Sequence, residues 1–257
     1  MSRDAGLAAA LLRAQASATP LAPACGEGLT LGDGLQVQHQ ALARRLAAGE
    51  CLTGWKVAFA GAAAQRRFGL SEPVYGALTD AMCVPPGATL ALGGLVQPKL
   101  EVELALILGA PLRPGTWDDA ALLGAVAAVA PAFEVADCRW SGWRFGAGAF
   151  LADNAAAALY CLGEPQAFGP AHHAGLDWRL ESEGAVLGAG SSPGEGDAPL
   201  PNACWALRRL LADGASLQAG QVILSGALLP PLDIRPVEYR LRMLGTELAL
   251  RFVQDDS

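Results

Sequence analysis

The chain has no apolar run long enough to cross a membrane. The longest, Ala120 to Pro131, holds about twelve residues rich in alanine, well short of the ~20 that a spanning helix needs. Charge is also sparse: 17% of the 257 residues are charged and 52% are apolar, far from the composition of disordered chains and enough for one large domain, or one with a small appendage. Basic residues are the minority sign, 18 Lys+Arg against 25 Asp+Glu for a net charge of −7, and no basic cluster could track a phosphate backbone. These shortages argue against a nucleic acid or a membrane as partner.

Paired-cysteine motifs are missing too. Cys25, Cys51, Cys83, Cys138, Cys161 and Cys204 are scattered with no CxxC, which reads as reduced thiols in a cytoplasmic protein. At the N-terminus Asp4, Arg13 and Gln15 break up what would otherwise look like a signal peptide, so residues 2–17 read as an amphipathic helix. There is no GxxxxGK[ST] loop. Gly188-Ala-Gly190-Ser-Ser-Pro193 begins like a dinucleotide fingerprint but has Pro where the third Gly belongs, which disfavours nucleotide cofactors. No internal repeat occurs.

What the sequence does have is strand texture. A second helical pattern, Leu35 to Gly49, is followed by short β-like runs at Leu52–Phe59, Lys99–Leu108, Phe133–Asp137, Gln221–Gly226, Val237–Met243 and Glu247–Val253. One helix is expected among them, opened by Thr116 and Asp119, carried by the alanine-rich run and closed by Pro131. Gly188 to Pro201 reads as a long mobile loop. The expected class is α+β, with a helical segment over 1–50 and a β-rich part over 51–257 that together form one structural unit.

The sharpest chemical feature is Pro98-Lys99-Leu-Glu101-Val-Glu103. Residues i and i+2 of a strand share a face, ~6.6 Å apart, while Val102, Leu104 and Leu106 point the other way. Two like charges on one face imply either a solvated face or a hard cation. Glu134 lies in the apolar segment Ala132-Phe-Glu-Val135, where a charge needs a partner. Lys56 reads either as a strand-edge lysine or as a functional one. The histidines, His39 and the pair His172-His173, sit in no catalytic pattern.

In order along the chain, Gly54-Trp-Lys56-Val, Glu72-Pro-Val-Tyr75-Gly76-Ala-Leu-Thr-Asp80, Gln97-Pro-Lys99-Leu-Glu101-Val-Glu103, Pro131 to Arg139, Ala152-Asp153-Asn154-Ala and Gly220 to Gly226 resemble the fumarylacetoacetate hydrolase superfamily. The likeness is to its 2-oxo-4-pentenoate hydratase and 4-oxalocrotonate decarboxylase branch, and covers roughly residues 35 to 253. It implies a mixed β-rich fold of rolled, barrel-like sheets with a small helical N-terminal segment. It also implies that Glu101, Glu103 and Glu134 hold one Mg²⁺ or Mn²⁺, a Lewis acid with open positions for a 2-oxo acid.

By the same resemblance Lys56 is the active-site lysine, its pKa lowered by burial or a nearby cation, and Asp80 is a second catalytic group. Tyr75, Lys99, Asp153, Asn154 and Ser225 match substrate-binding positions, though loop capping would equally account for Asp80 and Asn154. The implied partners are a small 2-oxo acid, further copies of the chain in a homo-oligomer, and a paired hydratase or decarboxylase.

The sequence departs from the pattern at Val74, where hydratases of this branch often carry Asp, and at Ala156, where Ser or Thr is common. The Gly-Asp turn usual after the Ser-Gly strand is missing around Ile234-Arg-Pro236. The reading is therefore a metal-dependent lyase of 2-oxo/2-hydroxy dienoic acids in aromatic catabolism, of the 2-keto-4-pentenoate hydratase type. The alternatives are a 4-oxalocrotonate decarboxylase-type carboxy-lyase and a degenerate member serving as a binding or partner subunit.

Overall fold

Local capping sets where the helices begin. The structure, a computed structural model, describes residues 3–193 and 197–255. Helix α1 (Arg3–Ala16) precedes α2 (Leu31–Ala47). The Thr30 hydroxyl accepts from the Asp33 amide at 3.2 Å and the Asp33 carboxylate accepts from the Thr30 amide at 2.9 Å. That reciprocal box starts α2 at Leu31, ahead of the Leu35 expected from apolar spacing. Ala8 and Leu11 of α1 and Val37 and Ala41 of α2 share a buried cluster with Ala58, Val74, Trp140 and Phe150. Among the described residues no helix is long and apolar enough to cross a membrane.

The strands in chain order are β1 (Leu52–Ala58), β2 (Val74–Thr79), β3 (Cys83–Val84), β4 (Thr89–Ala91), β5 (Pro98–Leu108), β6 (Val126–Asp137) and β7 (Ala157–Leu162). They continue as β8 (Gln166–Ala167), β9 (Leu176–Ser182), β10 (Ala185–Ser192), β11 (Val222–Leu224), β12 (Leu232–Asp233), β13 (Glu238–Met243) and β14 (Thr246–Val253). Helices α3 (Ala62–Phe68), α4 (Asp119–Gly124), α5 (Ala147–Ala152) and α6 (Pro199–Ala212) lie between them.

One sheet runs β2-β1-β11-β5-β6-β7-β3, with β12 on β5 and β8 on β6; the other runs β10-β9-β13-β14-β4. Alternation divides the long strands between two environments. Val102, Leu104 and Leu106 join Trp55, Val57 and Tyr75 in the main core, with Leu241 and Phe252 of the second sheet and Leu207 and Leu210 of α6. The opposite face of the same strands carries Ala105, Ala130, Ala132, Tyr160, Val222 and Leu224, a smaller cluster inside the curl of the first sheet. The α+β class with curled sheets and a helical N-terminal segment is what the sequence implied.

Two expectations are corrected. Only the start of the alanine-rich run is a helix: α4 is capped by Asp118, whose carboxylate accepts from the Ala121 amide at 2.8 Å, and ends at Gly124 rather than reaching Pro131. From Val126 the run is strand β6, buried against both neighbours, and small side chains fit it between them better than their helix propensity suggests. Pro131 sits where β6 changes partner, between Ala128–Val129 on β8 and Ala132–Ala136 on β7, so its missing N–H breaks no ladder bond there. Its carbonyl still accepts from the Gly163 amide at 2.8 Å.

The second concerns Gly188 to Pro201. Gly188 to Ser192 belong to β10, paired with β9, and Pro199 and onward to α6, where Pro occupies the first turn. Residues 194–196 lie outside the described residues. All six cysteines are free thiols, as expected.

Candidate active site

The pairing register assembles the acidic cluster. Glu101 on β5 is directly opposite Glu134 on β6, and Glu103 is opposite Ala132. All three carboxylates therefore face the inside of the curl, each offering an oxygen within 4.8 Å of the others. Glu103 and Glu134 are fully buried, and Glu103 Oε2 accepts from the Gly226 amide at 2.7 Å. Glu103 Oε1 and Glu134 Oε2 meet no protein donor.

Lys56 comes from the far side of the curl. It is paired with Gly76 of β2 and Leu224 of β11, which places it on the inner face. Only 2% of its side chain is exposed, and its Nζ lies 2.9 Å from Glu134 Oε1 and 3.0 Å from the Ala155 carbonyl oxygen. The strand-edge alternative is overturned, because Lys56 sits inside the sheet.

Burial pulls its pKa down, but Glu134, Glu101 and Glu103 together outweigh that and raise it, opposite to the direction expected from sequence. Burial, reinforced by Glu134, pushes Glu101 up to about 7. Glu103 is likewise raised well above the usual range, by burial and then by its two neighbours.

Two buried carboxylates and a half-buried one face a single ammonium, and two of their oxygens are orphaned. Such a hard-oxygen set suits Mg²⁺ or Mn²⁺. The residues present fit the ion that the resemblance implies.

The other expected residues divide. Lys99 shares the face of Glu101; its Nζ lies 2.5 Å from Asp233 and 5.7 Å from the centre of the Trp143 ring. Ser225 is buried next to Gly226, its hydroxyl without a protein partner. Tyr75 is on the opposite face from Lys56: it is paired with Val57, packs edge-on against Trp55, and donates to Asp213 at 2.9 Å. Asp80 is exposed beyond the end of β2, four residues or ~13 Å along from Gly76, and accepts from the Cys51 and Ala81 amides at 2.8 and 3.0 Å. That is the loop-capping arrangement.

Asp153 and Asn154 are also committed to the protein. Asp153 is buried against Arg139, accepting from its Nε at 2.5 Å and its amide at 2.9 Å. Asn154 accepts from the Ala77 amide at 2.7 Å and donates to the Ala77 carbonyl at 2.8 Å. Among the histidines, His39 is exposed on α2 and His172 accepts from the Gly169 amide at 3.1 Å.

Three contributors escaped sequence reasoning. Gly226 acts through its amide, and its φ of +94° explains why glycine follows Ser225. Ala155 acts through its carbonyl, which no side-chain pattern can announce. Arg139 stands in one of the matching segments, but only the fold brings it to Asp153.

No family model matches the sequence. The chain is 34% identical over 239 residues to a 2-keto-4-pentenoate hydratase of Paraburkholderia phymatum, covering 91% of this chain and 90% of that one. It is 33% identical over 228 residues to a 2-hydroxyhexa-2,4-dienoate hydratase of Comamonas testosteroni, covering 86% and 85%. Its fold superposes on the 4-oxalocrotonate decarboxylase of Pseudomonas putida G7, a structure complexed with magnesium and adipate, with a TM-score of 0.91, 24% identity and coverage of 98% and 99%.

Proposed function

Because the chain belongs to the 2-keto-4-pentenoate hydratase family, in the hydratase and decarboxylase branch of the fumarylacetoacetate hydrolase superfamily, we propose that it is a divalent-metal-dependent lyase hydrating a short 2-oxo/2-hydroxy dienoic acid. The observation that carries this reading is the meeting of Glu101, Glu103 and Glu134 beside the buried Lys56. Glu101, Glu103 and Glu134 would hold Mg²⁺ or Mn²⁺. When bound, the ion supplies a Lewis acid for the 2-oxo group.

The chain's own residues supply the rest. An ammonium has three donors; Lys56 directs them among Glu134, the Ala155 carbonyl and the substrate, and is placed to deliver a proton to the dienol carbon chain. Burial excludes bulk water, so the ammonium's charge acts at full strength on an anionic substrate. Lys99, on the face of Glu101 and partly exposed, lies where an incoming carboxylate would meet it. The segments 1–50 and 51–257 act as one structural unit, supported by their shared buried cluster. The setting is the cytoplasm, in a homo-oligomer able to associate with a paired hydratase or decarboxylase.

A carboxy-lyase is the second reading, favoured by one observation. Val74 is paired with Ala58, on the Lys56 face of β2, and packs in an apolar cluster where a carboxylate would otherwise position water. Decarboxylation needs no attacking water. The test supplies 2-hydroxypenta-2,4-dienoate and 2-oxo-hex-3-enedioate separately with Mg²⁺, following loss of the dienol absorbance and release of CO₂. Hydration supports the first reading, CO₂ release alone the second, and no turnover of either leaves a binding or partner subunit.

A further inference from the structure

The segment after α5 has an unusual backbone. Asn154, Ala155 and Ala156 lie in succession at φ of +53°, +52° and +59°, a left-handed turn built without glycine. An L-residue adopts that region only where its surroundings over-determine it. Here the surroundings hold the turn from three sides. The Asn154 amide group bonds both the N–H and the C=O of Ala77, filling the open edge of β2 as a further strand would. Gly76 permits that approach, since a Cβ there would come within 2.4 Å of the Asn154 carbonyl oxygen.

Behind the turn the Arg139 guanidinium grips both flanks, donating to the Ala157 carbonyl at 3.0 Å and to the Asp153 carbonyl, while its Nε pairs with the Asp153 carboxylate. Gln38 staples the same junction, its Nε2 donating to Tyr75 and Leu151 carbonyls at 2.9 and 3.3 Å. What all this holds in place is the Ala155 carbonyl, 3.0 Å from Lys56 Nζ.

We propose that Asn154 and Arg139 are positioning residues: they lock a left-handed turn whose Ala155 carbonyl fixes the Lys56 ammonium against the carboxylate cluster. Asn154 thus acts through the backbone rather than on the substrate. The inference rests on the lyase reading for its kinetic consequence and on the turn alone for its structural one.

The experiment compares Asn154→Ala with the same variant carrying Ala155→Gly. Loss of the two bonds to Ala77 should let the turn relax, lowering kcat on the order of 10²-fold with KM and Mg²⁺ affinity within about twofold. Glycine lowers the cost of positive φ, so the double variant should recover about tenfold in kcat. A residue touching substrate would instead raise KM, and glycine at 155 would restore nothing; that result overturns the proposal.

A crystal structure of Asn154→Ala gives a readout independent of activity. Ala155 should leave the left-handed region and its carbonyl the reach of Lys56; an unmoved carbonyl also overturns the proposal. If the wild type turns over neither substrate the lyase reading fails, yet this structural comparison still decides the role of the turn. Should Asn154→Ala not fold, Gly76→Ala, which pushes the turn off β2, gives the same comparison.

Discussion

Lys56 and Glu134 touch at 2.9 Å although β1 and β6 are separated by β11 and β5. Three inter-strand spacings in a flat sheet would hold their backbones ~14 Å apart, with side chains running parallel rather than converging. The ion pair is therefore a direct reading of how tightly the sheet curls, and the curl brings an ammonium from one wall to carboxylates on another.

Removing a carboxylate should weaken the ion without removing Lys56. Glu103→Gln and Glu134→Gln are each expected to lower Mg²⁺ or Mn²⁺ affinity about tenfold or more by calorimetry, since affinity follows the charge of the ligand set. Saturating Mg²⁺ should raise the wild-type Tm, with ~2.7 kcal/mol of stabilisation at a hundredfold excess over Kd. Equal binding by either variant would disprove the site.

Lys56→Ala separates chemistry from metal binding. Turnover should fall ~10²–10⁴-fold, the usual loss for a general acid or base, while metal affinity holds or rises because a competing cation has gone. An unchanged rate would show that Lys56 only balances charge.

Val74→Asp places a carboxylate on the Lys56 face of β2, two residues or ~6.6 Å from Gly76. Hydration of 2-hydroxypenta-2,4-dienoate is expected to speed up relative to CO₂ release from 2-oxo-hex-3-enedioate. An unchanged ratio of the two rates would show that no base is needed at that point of the wall.

Asp153 gives the fold a measurable pH dependence. Burial pushes its pKa up to about 6 despite Arg139, against 3.8 for an unperturbed aspartate. Between about pH 4 and 6 the folded chain therefore holds a proton here that the unfolded chain has lost, so this residue's contribution to stability falls as pH rises through that window. Urea unfolding across pH 4–7 should show that falling component in the wild type and not in Asp153→Asn.

The chemistry of the site was more legible in the sequence than its walls. Glu101 and Glu103 announce a shared face by their spacing alone, and Glu134 stands out as a charge in an apolar segment. Tyr75 and Gly76 show the limit: the motif is plain, but which of the two faces Lys56 depends on the β1–β2 register, which puts Gly76 opposite Lys56 and turns Tyr75 to the far core. The run from Ala125 to Pro131 misleads for a related reason, since alanine favours helix in isolation and only neighbours on both sides make β6 a strand. Asp153 and Asn154 directly precede Ala155, whose carbonyl meets Lys56, yet their own polar atoms are spent on Arg139 and Ala77, contacts made across the fold.

The parallel pairing of β1 with β11, Gly54 against Val222 and Lys56 against Leu224, joins opposite ends of the chain. During synthesis β1 and its other neighbour β2 emerge from the ribosome long before β11 exists, so the β11 edge of the strand carrying Lys56 must wait exposed or be shielded. Gly226, the amide that satisfies Glu103, arrives later still. Such non-local closure makes folding slow and the unfinished chain prone to stray association. Fragments ending before residue 222 should accumulate as aggregates, whereas a circular permutant that places β11 just ahead of β1 should shorten the wait.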